Sequence, residues 1–170
     1  MAALGLLSRS PHRRQHHHHA PLTKPGRGPF AVALSILMHD GIDMTEQKPR
    51  EITVTFKGSC QGNPGPGSWE ARMWEPATRK QDDIDGIVRH TTNNRMELRA
   101  ALEGVLYARE GANLTMIGSK YVVQGMTEWV AKWQANGWRN ASKKRVENRE
   151  LWEALIEAVK KHRQVAWKIG

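Results

Sequence analysis

From Glu51 to Gly67 the chain runs Glu-Ile-Thr-Val-Thr-Phe-Lys-Gly-Ser-Cys-Gln-Gly-Asn-Pro-Gly-Pro-Gly, and no helix can pass through the second half of it. In a helix interior each glycine costs about 1 kcal/mol and each proline about 3 kcal/mol relative to alanine. The first half alternates and is β-branched, the pattern of a half-buried strand. Gly62 to Gly67 is turn material throughout. Trp69 to Trp74 and Ile84 to His90 read as second and third strands, so the predicted opening is an antiparallel meander.

Beyond it the period changes. Asn93 or Asn94 can cap a helix whose apolar positions Met96, Leu98, Leu102, Val105 and Leu106 fall roughly at helical spacing, and Gly111 ends it. Asn113 to Ile117 is a short buried-type strand. Helical pieces follow from Ser119 to about Gln134 and from Asn148 to about Lys161, and Gln164 to Ile169 closes as a strand. This order predicts an α/β protein with a five-stranded mixed sheet and flanking helices.

The chain has 170 residues and a formal net charge of +9, from 26 Lys+Arg against 17 Asp+Glu. That length suits one domain, and the excess favours an anionic partner, nucleic acid first. Residues 1–49 form a basic, acid-poor leader; up to His39 it holds no Asp or Glu but several Arg, as an organellar transit peptide does. A disordered basic arm and a misassigned start are the alternatives. The run His16 to His19 reads as low-complexity sequence. The domain is expected over residues 50–170. Cys60 is the only cysteine, which excludes an intrachain disulfide and suits a reducing compartment, cytoplasm or organellar matrix. No apolar run approaches the ~20 residues that span a bilayer, so no membrane partner is expected.

Four blocks in order carry a family resemblance. They are Gly58-Ser59-Cys60-Gln61-Gly62-Asn63-Pro64-Gly65-Pro66-Gly67, Thr91-Thr92-Asn93-Asn94-Arg95-Met96-Glu97-Leu98, Ser119-Lys120-Tyr121-Val122-Val123-Gln124-Gly125, and Gly137-Trp138 through Glu147-Asn148-Arg149-Glu150-Leu151-Trp152. Together they resemble bacterial-type ribonuclease HI over about residues 50–170. The resemblance implies the ribonuclease H fold and magnesium-dependent hydrolysis of the RNA strand of RNA·DNA hybrids. Two divalent ions ~3.5–4 Å apart activate water and stabilise the leaving oxygen, and the family holds them with four carboxylates.

Glu97 matches one of those carboxylates. Lys57 and Gly118 stand where the family has Asp, and the fourth Asp and the closing C-terminal helix would lie beyond Gly170. An ammonium among ligands repels metal: unit charges ~4 Å apart interact by about 4 kcal/mol at an effective dielectric of ~20, and a divalent ion doubles that. No bound metal is therefore expected here, Glu97 being the ligand if there is any. Lys57 is expected to pair with Glu97, or else to snorkel to solvent. No spare Asp or Glu is seen at the affected strand ends.

The binding surface matches the family better. Trp129, Trp133 and Trp138, interleaved with Lys132, Arg139, Lys143, Lys144 and Arg145, resemble its basic protrusion. The aromatic rings can face the ligand or pack a helix core, while the cations contact phosphates. Asn63, Asn93 and Asn94 resemble the readers of the hybrid minor groove, and Thr92 and Asn148 match a phosphate pocket. Glu70 and Lys120 depart from the family pattern.

The reading that follows is a ribonuclease HI-like domain that binds RNA·DNA hybrid or structured RNA and has lost hydrolysis. The alternatives are an active ribonuclease H with compensating ligands, or a scaffold in a ribonucleoprotein particle. Without the closing helix an apolar strip of the sheet is expected to face water, leaving the isolated chain marginal or that face covered by a protein partner. Phe30 to Met38 is a further candidate cover.

Overall fold

The computed structural model describes residues 48–170. The leader, the His16 to His19 run and the Phe30 to Met38 segment lie outside the described residues. Strands β1 (Glu51–Cys60), β2 (Gly65–Glu75) and β3 (Lys80–Thr91) form the antiparallel meander. Helix α1 (Asn93–Tyr107) and strand β4 (Asn113–Gly118) follow, then α2 (Lys120–Gln124), a π-helical turn (Gly125–Trp129), α3 (Val130–Ala135), α4 (Arg149–Val159) and β5 (Gln164–Ile169). The sheet order is β3-β2-β1-β4-β5, with β1, β4 and β5 mutually parallel. A five-stranded mixed sheet with flanking helices is thus the architecture. No helix among the described residues is long and apolar enough to cross a membrane.

Strand alternation assigns the two faces. Ile52, Val54 and Phe56 of β1, Ala71 and Met73 of β2, and Leu114 and Met116 of β4 are buried with Leu98, Ala101, Leu102 and Val105 of α1. Gly58 is what lets α1 start so close to β1. A Cβ there would lie 2.2 Å from the backbone nitrogen of Glu97, a distance no side chain tolerates. One missing methyl group therefore fixes where Glu97 stands.

On the opposite face, Thr53, Thr55, Lys57 and Ser59 lie across from Trp74, Arg72, Glu70 and Ser68, and Asp83, Asp85 and Ile87 continue the rows on β3. Directly opposed residues share a face. On β1, β2 and β3 this face is mainly polar rather than the expected apolar strip, with Trp74 and Ile87, 39% and 87% exposed, as its large apolar residues.

Two local expectations also change. The residue before α1 is Thr92, not Asn93 or Asn94, and its side chain caps nothing. Asn93 is instead the first helical residue and turns its amide inward. The helix expected from Ser119 to Gln134 is interrupted by the π-helical turn. Trp152 takes the space beside Gly125, where a Cβ would lie 2.0 Å from its ring, and Thr127 Oγ1 donates to the Val123 carbonyl at 2.8 Å. A bulky ring inserted at a glycine forces the local widening.

Candidate nucleic-acid interface

In open α/β sheets ligands bind outside the carboxyl ends of parallel strands, where the strand order reverses. Here the parallel pairing of β1 with β4 ends at Thr55 and Ile117, just before Lys57 and Gly118-Ser119. Both ends share with Glu97 a cavity of about 880 Å³. Lys57 is exposed, whereas Glu97 is half-buried and accepts a hydrogen bond from Asn93 Nδ2 at 2.8 Å on Oε1. The ion pairs among the described residues do not include Lys57 with Glu97, against expectation. The two sit on different elements, and the acid directly across from Lys57 in the strand register is Glu70.

Gly118 is buried, and its place is crowded: a Cβ there would lie 2.3 Å from Phe56 Cε2. The Phe56 ring is 3% exposed and meets Trp167 edge-on, centroids 6.4 Å apart. Where the family resemblance calls for a carboxylate, an aromatic ring fills the volume.

Further carboxylates stand nearby on β2 and β3, rather than at the two affected strand ends. Glu70, Asp83 and Asp85 line the same cavity as Glu97. They are spread over neighbouring strands rather than converged, and among the described residues no three His, Cys, Asp or Glu are grouped to hold a metal ion. Asp83 is committed to Arg72, whose Nε donates at 2.7 Å and holds the carboxyl below its usual range. A two-ion centre needs several hard oxygen ligands around one point. The donors present, with an ammonium at one strand end and a glycine at the other, do not fit it. Glu70 had a signal that could have exposed it, since Lys57 and Glu70 are equidistant from the hairpin turn.

The aromatic and basic segment is arranged differently. Ring centroids run Trp129 to Trp133 at 5.7 Å, Trp133 to Trp138 at 6.3 Å and Trp133 to Trp152 at 5.5 Å. Tyr121 closes the cluster 5.4 Å from Trp152. Trp138 is only 8% exposed, so it cannot stack on a base, and its expected direct contact is corrected to a supporting one. Trp129 and Trp133 are half-buried, with Trp133 packed against the hydrophobic core.

Residues 138–146 fold back over these rings. The Val146 N–H donates to the Trp138 carbonyl at 3.0 Å, and Arg139 Nη1 donates to the Lys143 carbonyl at 2.8 Å. Asn140 Oδ1 accepts from the backbone of both Ser142 and Lys144 at 3.0 Å. Lys132, Arg139, Lys143, Lys144 and Arg145 are all exposed. Beneath them, Arg149 lies over the Trp138 ring, 5.3 Å from its centroid, a cation–π contact.

The asparagines fall into two groups. Asn63 Oδ1 accepts from the Asn93 backbone N–H at 3.3 Å, tying the hairpin turn to the start of α1. Asn148 Oδ1 accepts from Arg95 Nη1 at 3.1 Å, and Arg95 also pairs with Glu150. Burial raises the Glu150 carboxyl, yet backbone hydrogen bonding and Arg95 bring it below its usual range. Arg95 was missed as a site residue, although it sits within the Thr-Thr-Asn-Asn-Arg block. Thr92 is half-buried and Asn94 exposed at the same helix start. Cys60 is structural: its single S–H is shared between the Gly65 and Thr91 carbonyls, 3.4 and 3.3 Å from Sγ.

Comparison with known proteins places the fold. The RNase H family profile matches residues 49–169. Ribonuclease H of Bordetella pertussis is 45% identical over 120 residues, covering 70% of this chain and 76% of that protein. Ribonuclease H of Erythrobacter litoralis is 44% identical over 119 residues, covering 69% and 81%. Among solved structures, LC9-RNase H1, a type 1 RNase H with the type 2 active-site motif, superposes with a TM-score of 0.63 at 29% identity, covering 72% of this chain and 64% of that one. LC11-RNase H1, solved in complex with RNA/DNA hybrid, superposes at 0.52 with 15% identity over 70% of this chain and 84% of that one, a likeness of fold alone. The chain belongs to the ribonuclease H family.

Proposed function

We propose that residues 50–170 bind RNA·DNA hybrid, or RNA of similar A-like shape, without metal-dependent hydrolysis. The observation that carries this reading is the exposed basic loop from Arg139 to Arg145, anchored on packed tryptophans, together with a cleft whose donors do not fit a metal pair. Cations on a fixed loop contact phosphates and release counterions, which gives affinity without any divalent ion. Lys132 extends the same basic surface. Asn63, Asn93 and Asn94 stand at the hairpin and helix start, where amide groups suit 2′-hydroxyl and base-edge contacts. Thr92, Asn148 and Arg95 form the neighbouring polar pocket for one phosphate.

The competing reading is an active ribonuclease H with substitute ligands, and it draws on Glu70, Asp83 and Asp85 in the cleft. One sample separates the two. Protein prepared from a host lacking its own ribonuclease H is incubated with end-labelled hybrid at fixed ionic strength, with Mg²⁺ or with EDTA. The expected result is a retained complex under both conditions and intact RNA. Cleavage that requires Mg²⁺ supports the competing reading instead.

A further inference from the structure

The end of β4 is closed by volume as well as by the absence of a carboxylate. We infer that Phe56 and Gly118 form an interlock, so that position 118 can hold no side chain, and hence no metal ligand, while Phe56 is in place. This rests on the proposed reading that the cleft holds no metal pair and adds the residue responsible. A Cβ on Gly118 would approach Phe56 Cε2, Cζ and Cδ2 at 2.3, 2.4 and 2.6 Å. Because Cβ itself collides, no rotamer of a longer side chain relieves the contact.

Phe56 has little freedom to yield. It is 3% exposed, edge-on to Trp167, and its core neighbours Val54 and Met116 are 0% exposed. Alternation along β1 puts Phe56 on the buried face and Lys57 on the other. The two therefore act independently: Lys57 brings the wrong charge to one ligand position, and Phe56 blocks the second by bulk. Carboxylates supplied at 57 and 118 are not enough while the ring remains.

The test exploits a sign. Gly118 lies in a strand without positive φ, so Gly118→Ala would ordinarily raise Tm by about 2–6 °C. The interlock predicts the opposite, a Tm lower by roughly 5–15 °C, because overpacking outweighs the backbone gain. In a Phe56→Thr background the same substitution should no longer lower Tm, and Phe56→Leu, which keeps an apolar filler but removes the ring edge, provides a second background. A Tm unchanged or raised by Gly118→Ala in the parent, or an equal loss in all backgrounds, overturns the inference. A Mn²⁺ titration of Lys57→Asp/Gly118→Asp, with Phe56 intact, should show no gain over the parent. A tenfold tighter site in that pair also overturns it. Mn²⁺ binding or cleavage by the parent itself would instead defeat the proposed function and leave the Tm signs untouched.

Discussion

The strand-end cleft and the tryptophan-backed loop lie in one domain and answer sequence change in opposite ways. The loop presents Lys143, Lys144 and Arg145 as separate exposed cations, and in the proposed function each would add a share of affinity by counterion release. Removing one costs only its share. The cleft is a convergent device, in which several oxygens must surround each ion at ~2 Å. In the proposed reading, one ammonium at 57 and the Phe56 ring beside Gly118 are enough to dissolve it. An additive surface therefore tolerates substitution, whereas a convergent site fails as a unit.

The largest effect should come from breaking the support beneath the loop. Trp152 is 0% exposed and contacts Tyr121, Trp133 and the Gly125 backbone. Trp152→Ala should destabilise by about 3–5 kcal/mol, read as the urea midpoint, with hybrid binding falling alongside it. Trp138→Ala should do the same more mildly. Binding that survives undiminished would mean that the loop is ordered independently of the tryptophans, and the contrast between loop and cleft would fail.

Next comes the additive surface itself. Changing Lys143, Lys144 and Arg145 together to Ala should flatten the log K against log salt slope by about 0.7–0.9 for each phosphate no longer neutralised, with little change in stability because all three are exposed. An unaltered slope would place the ligand elsewhere. The cleft should respond far less. Lys57→Ala and Glu97→Gln should leave hybrid affinity within about threefold, short of the ~1.4 kcal/mol that a tenfold change represents. A steep loss with Glu97→Gln that appears only in Mg²⁺ would reveal a working metal site and erase the comparison.

The register offers a smaller test. Lys57→Glu would set like charges across from Glu70, at a cost of roughly 0.2–1 kcal/mol, and Lys57→Glu/Glu70→Lys should recover it. The smallest effect is titration of Asp83, whose carboxyl Arg72 holds below its usual range. A depressed folded pKa contributes stability that is fully present above the unfolded value of ~3.9 and is lost as pH falls through the folded value. Asp83→Asn should therefore narrow the Tm difference from the parent as pH drops below about 4. Both groups are exposed, so salt should shrink the effect further.

Much of this was legible along the chain. The alternation of Glu51 to Phe56 and the spacing of Leu98, Leu102 and Val105 report local geometry, and each of the five strands overlaps its predicted position, although β1 runs on to Cys60 and β2 begins at Gly65, inside the stretch read as turn. The wrong expectations concern partners distant in sequence. The π-helical turn at Gly125 depends on Trp152, and the inward amide of Asn93 depends on Glu97. The polarity of the far sheet face emerges only when β1, β2 and β3 are laid in register.

By itself the sequence determined the fold family and the lack of a carboxylate at 57 and 118, because a strand pattern and a donor atom belong to the residues that carry them. Lys57 is an ammonium and Gly118 has no side chain in any conformation. Only the tertiary structure decided that Phe56 fills the place beside Gly118, that Lys57 makes no ion pair with Glu97, and that Trp138 supports the loop from below. Those are statements about which atoms share a volume. Packing at close to crystal density fixes that sharing through contacts between strands and helices far apart in the chain, which no local pattern encodes.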